Sequence, residues 1–433
     1  MGWVMVGLAF TNMVVVFGIW YSFSVFFLAL VQDFGWSRAV AASIFSIFIF
    51  CQSMTGPLAG RLMDTIGPRL TIPLGSLILS GSLVWVSQVD SLNQFRLAYG
   101  VAASLGVGLM GFSAHAAWLP RWFERQRGLS LGIATSGIGV GVLLLVPASE
   151  FIISQYGWRV AYLVLAGLVL GILLPLNLIF ARRAPGDMGL EPDGGQKLSK
   201  TGLASPATMI VMDEAWVGKK WRLKEAVRTS RFWFLTAAIG FGSFCYQGVF
   251  MHAVAGMVDR GLEMSMAAMF LGTMGIMGSM GKISFGFISD RMGRELANTL
   301  AAVVATLGVF FIVILTPNAL ILALLFAVLF GFGYGAAAPL FPAVVADLFI
   351  GRSFGTIVTV IFLGSSVGGA LGPLLMGLLR DITGQYNTSF EVALAMLWIS
   401  CLLIWLAAPR KVRKIARGKQ GADPGPTKQN AGS

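Results

Sequence analysis

Long apolar stretches recur along the whole chain, and short polar stretches separate them. A helix that crosses a lipid bilayer needs about 20 predominantly apolar residues. Breaking the chain at its charged residues and at Pro, Gly and Asn predicts twelve such helices, which we number as segments 1 to 12. In order, they cover residues 3–31, 39–60, 70–88, 93–119, 128–153, 158–181, 231–258, 264–288, 296–315, 319–346, 353–379 and 387–408.

One long polar stretch divides the segments into two groups of six. Residues 182–230 are rich in Gly, Pro and charge, which is typical of a linker. Within it, the basic stretch Gly218–Arg231 predicts an amphipathic helix that lies on the membrane surface and attracts anionic lipid. The predicted fold is all-α, an integral membrane protein with twelve transmembrane helices in two six-helix bundles. Its parts are a bundle at 1–181, a cytoplasmic linker at 182–230, a bundle at 231–408 and a basic, disordered cytoplasmic tail at 409–433.

The charged residues support this prediction by their number and by their position. They make up 12% of the chain, whereas soluble domains carry about 25%. With a cytoplasmic N-terminus, 25 of the 31 lysines and arginines fall in cytoplasmic loops, linker and tail, five fall outside, and Lys282 lies within a segment. Because basic loops favour the cytoplasmic side, we expect both termini on the cytoplasmic side of the inner (plasma) membrane. Topology therefore accounts for the net charge of +12, and we expect no nucleic-acid partner.

The residue types that catalysis and cofactor binding require are not grouped in this sequence. Cys51, Cys245 and Cys401 lie far apart within apolar runs, which is typical of packing residues. The sequence has no phosphate-binding GxxxxGK[ST] loop, no nucleophile elbow and no Cys/His cluster. We therefore expect a protein that is not an enzyme and that carries no metal and no cofactor.

The two halves repeat each other. The stretch Gly60–Arg69, after segment 2, matches Gly286–Arg294, after segment 8, and this match aligns Asp64 with Asp290. A second match starts at Arg127 and returns at Arg352, with a spacing that differs from that of the aspartates by a single position. Two matches at nearly the same spacing indicate a parallel internal repeat. Such repeats place a substrate site between the halves, near the middle of the membrane.

The repeated stretch Gly-x-Leu-x-Asp-x-x-Gly-x-Arg resembles the signature of the major facilitator superfamily. The stretches Tyr21–Arg38, Arg121–Gly141, Tyr156–Tyr162 and Gly333–Phe349 resemble the bacterial branch of the monocarboxylate transporters and the related oxalate/formate exchangers. This resemblance implies two pseudo-symmetric bundles that expose a central site to each side of the membrane in turn. The glycines allow tight turns, and the charged residues are expected to latch and release the halves. These gating candidates are Gly60, Asp64, Gly67, Arg69, Gly286, Asp290, Arg291, Gly293 and Arg294.

Lys282 is the one lysine or arginine that lies deep within a segment. An ionised side chain within a bilayer costs several kcal/mol, so it usually faces a cavity or a partner. Glu150, within segment 5, and Asp347, directly after segment 10, lie near segment ends and do not match its depth. Lys282 is therefore our main candidate for an anion-binding residue. The alternative is a lysine whose long stem reaches towards the membrane surface.

The family resemblance adds a comparison at this position. Monocarboxylate transporters usually carry an arginine here that binds the substrate carboxylate, and some carry an aspartate one turn earlier, where this chain has Gly278. Oxalate exchangers carry a second cation in segment 11, but Val358–Gly369 contains none. One cation suits one carboxylate, so the resemblance favours a monocarboxylate over a dicarboxylate.

Other polar and aromatic residues are further candidates for the site. Proton-coupling candidates are Lys282, which can lose its proton when desolvated, and His115 and His252, because histidine titrates near physiological pH. A packed, hydrogen-bonded role is the alternative for both histidines, and packing is the alternative for the aromatic residues. The full set of substrate-binding candidates is Lys282, His115, Tyr334, Asn12, Tyr21, Tyr246, Gln247, Phe341, Phe362 and Ser366.

Together these features predict a secondary active transporter. Its expected substrate is a small monocarboxylate anion such as lactate, pyruvate or formate, carried with a proton by a functional monomer in contact with membrane lipid. An oxalate/formate-type anion exchanger is the alternative within transport, and it would need a counter-substrate instead of a pH gradient. A transporter-like nutrient sensor is the alternative from another class.

Overall fold

The computed structural model describes residues 1–123, 127–190, 209–219, 221–317, 319–349 and 354–415. Its long helices coincide with the predicted segments, and the prediction of a twelve-segment membrane fold is confirmed. Eight segments form continuous helices. They are Gly2–Phe34 (segment 1), Arg38–Thr65 (2), Pro68–Val86 (3), Ser230–Val258 (7), Met264–Met292 (8), Arg294–Val313 (9), Phe354–Thr383 (11) and Asn387–Ala407 (12).

The other four segments have interruptions that the apolar pattern does not predict. Segments 5 and 6 begin in one helical stretch, Arg127–Leu168, which changes direction at Gly157 (φ 82°, ψ 162°). Segments 4 and 10 are each broken near their middle. Segment 4 consists of Leu92–Phe95, a π-helix at Arg96–Ala103, Ser104–Met110, Phe112–Trp118 and a 3-10 turn at Leu119–Arg121; segment 6 continues as a π-helix at Val169–Leu173 and Leu174–Phe180; segment 10 consists of Leu320–Gly335 and Ala337–Leu348.

Successive segments run in opposite directions, which gives the bundle two distinct ends. We call the end that holds Met1, the linker and the tail the terminal end, and the opposite end the loop end. Within each half the segments pack closely, and three pairs make the main contacts between the halves: segments 1 and 7, 2 and 11, and 5 and 8. The space between the halves is therefore bordered by the segments that the internal repeat relates to each other.

The backbone repeats at the spacing seen in the sequence. Gly67 (φ 77°) and Gly293 (φ 96°) correspond at the spacing of the two motif aspartates, and each makes the turn after the second segment of its half. The interruptions of segments 4 and 10 fall at Gly111 and Ala336, which correspond at the spacing of the second sequence match. Positive φ strongly favours glycine, so the repeated glycines of the motif are a backbone requirement of these two turns.

The prediction of an amphipathic helix over Gly218–Arg231 is wrong. The chain forms two short helical turns, Glu214–Val217 and Leu223–Ala226, before segment 7 begins. The cause is tryptophan docking: Trp216 donates from Nε1 to the Leu348 carbonyl at 2.7 Å, and Trp221 packs edge-on against Phe349 at 5.2 Å. Both rings are anchored on segment 10, and a straight surface helix would not hold them there.

The start of the tail is also ordered, contrary to the predicted disorder from residue 409. Pro409–Lys411 forms a 3-10 turn, Val412 is fully buried, and Arg413–Ile415 forms strand β2. It pairs antiparallel with strand β1, Met209–Val211 of the linker, with Met209 opposite Ile415. This small sheet joins linker and tail at the terminal end. The remaining tail prediction, from residue 416, lies outside the described residues.

Candidate functional site

Aromatic residues from both halves meet between segments 1, 7 and 10. The hydroxyl oxygens of Tyr21 and Tyr334 lie 2.8 Å apart, so a hydrogen bond crosses from one half to the other. Phe250 packs against both rings, at 4.6 Å from Tyr21 and 5.1 Å from Tyr334, and Tyr246 lies edge-on to Tyr334 at 5.4 Å. We call Tyr21, Tyr246, Phe250 and Tyr334 the aromatic cluster; three of the four were predicted as site residues.

Gln247 borders this cluster and has unused hydrogen-bonding capacity. Its Oε1 is buried and has no hydrogen-bond partner among the described residues. It lines a small cavity of ≈10 Å³ together with Tyr21, Phe250 and others. A cavity of that size holds about one water molecule. The structure therefore brings four predicted site residues together: Tyr21, Tyr246, Gln247 and Tyr334.

Segments 5 and 8 meet along a stripe of small residues. A Cβ atom on Gly139 would lie 2.4 Å from the Gly275 carbonyl oxygen, and one on Gly275 would lie 2.5 Å from Cβ of Val142. Ser279 follows one turn later, with its hydroxyl 3.5 Å from the Ser136 carbonyl oxygen. Small residues allow helices to approach this closely, and the seam seals the loop-end part of the space between the halves.

Lys282 lies one turn beyond this seal, towards the terminal end. It shares a helix face with Gly278 and Ser279, whose neighbours are Tyr334 of segment 10 and Ser136 of segment 5, so it points between these two segments. Its side chain is half-buried, and no hydrogen bond or ion pair joins it to another residue that the structure describes. The predicted unpaired cation thus lies where the halves meet, on the terminal-end side of the contact between segments 5 and 8.

His115 and Asn12 form a separate group within the first half. Both are fully buried, and the Asn12 amide lies 3.1 Å from His115 Nε2 and 3.0 Å from the oxygen of Asn177. Neither is hydrogen-bonded to the aromatic cluster or to Lys282 in the part of the chain that the structure describes. Asn177 was missed by sequence reasoning, although an asparagine within an apolar segment is a usable signal.

His252 belongs to a third group, near the loop end. Its Nδ1 lies 2.9 Å from the Tyr386 hydroxyl and its Nε2 lies 2.8 Å from the Pro373 carbonyl oxygen. Its ring also meets the edge of Phe27 from the first half at 5.2 Å. Tyr386 lies in the turn before segment 12, and burial raises the pKa of its phenol well above the usual value, so it keeps its hydrogen.

Three further predicted site residues have no described contact with the aromatic cluster. Phe341 packs against segment 7, where a Cβ atom on Gly242 would lie 3.0 Å from its ring. Phe362 is half-buried against the same terminal-end core, and Ser366 is buried on segment 11. Their predicted contact with substrate is therefore not supported by proximity to Tyr334.

The gating candidates pair within their own halves. Asp64 forms an ion pair with Arg121, and Arg69 donates to the Leu178 carbonyl at 2.9 Å. In the second half, Arg294 binds Asp290 at 2.6 Å and Asp347 at 3.1 Å. A Cβ atom on Gly60 would meet no neighbour, one on Gly286 would lie 3.8 Å from Pro339, and Arg291 stacks over Phe287 at 3.9 Å. A latch between the halves stays a prediction.

The charged contact between the halves lies instead at the loop end, and sequence reasoning missed it. Arg38 of segment 2 binds Asp259 at 2.9 Å, and Asp259 also binds Arg380 at 2.9 Å. Asp381 accepts hydrogen bonds from the backbone amides of Arg38 and Ala39, at 3.0 and 2.8 Å, at the start of the segment 2 helix. We call Arg38, Asp259, Arg380 and Asp381 the loop-end clasp. Hydrogen bonds and ion pairs thus join the halves at the loop end and at the centre.

Comparison with known protein families and sequences gives a consistent result. The family model described as "Major Facilitator Superfamily" matches residues 8–368. The chain is 29% identical over 398 residues to "Monocarboxylate transporter 13" of Rattus norvegicus, covering 92% of this chain and 86% of that protein. It is 26% identical over 424 residues to "Monocarboxylate transporter 12" of Mus musculus, covering 95% and 87%.

Solved structures share the fold at low sequence identity. A bacterial homolog of the human lysosomal transporter Spinster, in an inward-facing and unoccupied conformation, gives a TM-score of 0.71 at 16% identity, covering 94% of this chain and 96% of that one. A D-xylose–proton symporter gives 0.69 at 15% identity, covering 94% and 98%.

Proposed function

Because the chain belongs to the Major Facilitator Superfamily, it is a multi-pass membrane transporter, and we propose that it carries a small monocarboxylate together with a proton. Its site is exposed to each side of the membrane in turn. The likeness to monocarboxylate transporters over more than nine-tenths of the chain supports this substrate class. Lactate and pyruvate are the acids we would test first.

The observation that carries the proposal is the position of Lys282. A half-buried lysine amino group lies between segments 5, 8 and 10 with no partner among the described side chains. A carboxylate would supply the missing negative charge, and a pair formed in such a desolvated place is stronger than one in water. Lys282 is therefore the proposed anion-binding residue.

The aromatic cluster supplies the rest of the proposed pocket. Tyr21 and Tyr334 offer hydroxyl donors to a carboxylate or a neighbouring hydroxyl group, and Phe250 offers an apolar wall for a short carbon chain. Small-molecule sites commonly combine apolar walls with a few convergent polar groups. A substrate that accepts a hydrogen bond from one of these hydroxyl groups would replace the Tyr21–Tyr334 hydrogen bond and so remove a contact between the halves.

The proton follows from the choice of lysine. A lysine can lose its proton when it is desolvated, whereas an arginine stays charged. We propose that Lys282 takes up a proton as the carboxylate enters, so that anion and proton are bound together. Lys282→Arg separates the two roles, because it keeps the charge but cannot release the proton. Transport by this variant with unchanged proton dependence would place the proton elsewhere, with His252 the next candidate.

The first experiment measures uptake of labelled lactate into cells that lack their own lactate carriers. Lys282→Gln keeps most of the length of the side chain and removes its charge, and we expect it to abolish uptake while it reaches the membrane in the same amount. Lys219→Gln, which makes the same substitution at an exposed lysine of the linker, serves as the control. Equal uptake by Lys282→Gln and the parent chain would refute the anion site.

The same cells distinguish symport from exchange. A symporter responds to an inward pH gradient without any internal anion, whereas an exchanger needs a counter-substrate such as formate or oxalate. We expect a response to pH, because Val358–Gly369 of segment 11 supplies no second cation. We further propose an inner (plasma) membrane location with both termini in the cytoplasm, and a monomer as the functional unit.

A further inference from the structure

A chain of buried hydrogen bonds in the first half has no part in the proposed pocket. Asn177 donates from Nδ2 to the Leu173 carbonyl at 2.8 Å and to Asn12 Oδ1 at 2.7 Å. Asn12 donates from Nδ2 to Asn177 Oδ1 at 3.0 Å and lies 3.1 Å from His115 Nε2. His115 Nδ1 lies 3.0 Å from the Gly111 carbonyl oxygen. These contacts tie together segments 1, 4 and 6.

Both ends of this hydrogen-bond chain are backbone carbonyls, which only accept. The Asn177 side that faces Leu173 must therefore be its NH₂ group, which leaves its oxygen to accept from Asn12. The NH₂ group of Asn12 then faces His115, so Nε2 accepts and the ring hydrogen is on Nδ1, where it donates to Gly111. We propose that His115 is a positioning residue, held neutral in its Nδ1–H form, and does not carry the transported proton.

A second proton on His115 would break this arrangement. Its Nε2–H would face the NH₂ group of Asn12, and turning that amide would set oxygen against oxygen at Asn177. Turning Asn177 as well would set its oxygen against the Leu173 carbonyl. The side chains that contact the ring are Asn12 and, with ring centroids 5.8 Å apart on the same segment, Trp118. Asn177 lies behind Asn12, and no charged side chain of the described part acts on the ring. A neutral imidazole is therefore the form that fits.

Through its hydrogen bond to Gly111, His115 contacts the backbone where segment 4 is interrupted. Gly111 has an extended backbone (φ −79°, ψ −167°) between the helices Ser104–Met110 and Phe112–Trp118. Non-helical backbone at membrane depth is tolerated only where protein or water satisfies its polar groups. His115 accordingly fixes the interruption of segment 4, and through Asn12 it fixes that interruption relative to segment 1.

The second half has no counterpart to this device. At the spacing of the second sequence match, the positions of Asn12, His115 and Asn177 are taken by Ala237, Leu340 and Leu402. The interruption of segment 10 at Ala336 is therefore packed by apolar side chains. These polar residues thus hold an interruption in the first half, whereas the proposed binding of anion and proton at Lys282 is in the second half.

His252 provides an internal comparison because its hydrogen bonds run the other way. The Pro373 carbonyl can only accept, so Nε2 carries the hydrogen, and Nδ1 accepts from the Tyr386 hydroxyl. A second proton on Nδ1 would find the same phenol oxygen as an acceptor. The two histidines of the chain are thus expected in opposite tautomers.

Nitrogen-15 NMR of the full chain with labelled histidine tests this directly. The chain has two histidines, and His115→Asn identifies the signals of each. We expect His115 as Nδ1–H from about pH 5 to pH 8, the range in which histidines usually titrate, and His252 as Nε2–H when neutral. An Nε2–H form of His115, or an imidazolium within that range, would overturn the proposal, whether or not lactate is the substrate.

Transport by two non-titrating variants gives the second test. His115→Asn keeps an amide near the Gly111 carbonyl, and His115→Gln keeps one near Asn12. We expect both to lower the rate of lactate uptake and the Tm, and both to preserve the pH dependence of uptake. Loss of the pH dependence in both variants, with uptake still measurable, would show that the proton passes through His115.

Discussion

Glycines surround Lys282 on its own helix and let the neighbouring segments approach it closely. A Cβ atom on Gly281 would lie 2.1 Å from the Phe332 carbonyl oxygen, and one on Gly275 would overlap Val142. The neighbouring segments therefore pack directly on the backbone of segment 8. Lys282 carries the one long side chain among these close contacts, since a Cβ atom on Gly335 of segment 10 would lie 2.7 Å from the Lys282 backbone nitrogen.

A substitution at Gly278 tests whether the charge of Lys282 binds the substrate. Its added Cβ atom would make an ordinary contact of 3.4 Å with Tyr334, so Gly278→Asp fits and places a carboxylate one turn from Lys282. At neutral pH that carboxylate competes with the substrate, and a loss of about 1.4 kcal/mol raises the KM tenfold. Acidification protonates Asp and frees Lys282, so uptake should recover as the pH falls.

Gly278→Asn is the matched control, because it has the same shape and no charge. The KM for lactate of the two variants should differ strongly at neutral pH and converge in acid. Equal KM values across the pH range would mean that the charge of Lys282 does not bind the substrate.

At the terminal end, contacts with residues distant in sequence override the structure that the local composition favours. The basic stretch after Gly218 has the composition of a surface helix, yet Trp216 and Trp221 dock on segment 10 and divide it. The tail has the composition of a disordered segment, yet Val412 is buried and Arg410 donates its amide to Glu295 at 2.9 Å. Neither partner lies close in sequence, so no local pattern could predict them.

Truncation of the tail measures this contribution. A chain that ends at Ala408 loses the buried Val412 side chain, worth about 1.5–3 kcal/mol, and the hydrogen bond to Glu295, worth about 1 kcal/mol. We expect its Tm in detergent to fall by several degrees. A chain that ends at Ile415 keeps both contacts and should unfold at the parent temperature. Equal stability of the two truncations would show that the strand β2 region adds nothing.

At the scale of the whole molecule, the sequence predicts the features that repeat along the chain, but it does not predict the contacts that join distant residues. The twelve segments, the repeat spacing and the isolated lysine depend on patterns within one stretch of chain, and all are visible in the residues themselves. The clasp at Arg38 and the pairing of His252 with Tyr386 each join residues more than a hundred positions apart. In the sequence, Arg38 and Arg380 are only two charges in loops on the outer side, because their partners depend on how the halves meet.

The loop-end clasp should hold the molecule closed at that end. Arg38→Gln removes the ion pair to Asp259 and the stacking over Phe27 and Tyr386. A partly exposed pair contributes up to about 1 kcal/mol, so the seam between segments 2 and 11 should open about fivefold more often. In a chain without its native cysteines, Ile49→Cys, which faces Gly369 across this seam, reports opening by its rate of maleimide labelling.

Arg159→Gln is the control for this measurement. Arg159 pairs with Asp33 and Asp90 of its own half, so its loss should leave the labelling rate unchanged. If Arg38→Gln labels no faster than Arg159→Gln, the clasp does not set the balance between the two states.

The small sheet at the terminal end has a consequence for the architecture of the second half. Met209, before its first helix, lies opposite Ile415, after its last. A unit whose two boundaries are neighbours can be rejoined at that point and cut elsewhere with little distortion. In engineering terms, the second half is suited to circular permutation, with new ends in a turn at the loop end, whereas the first half has no described strand that brings its own ends together.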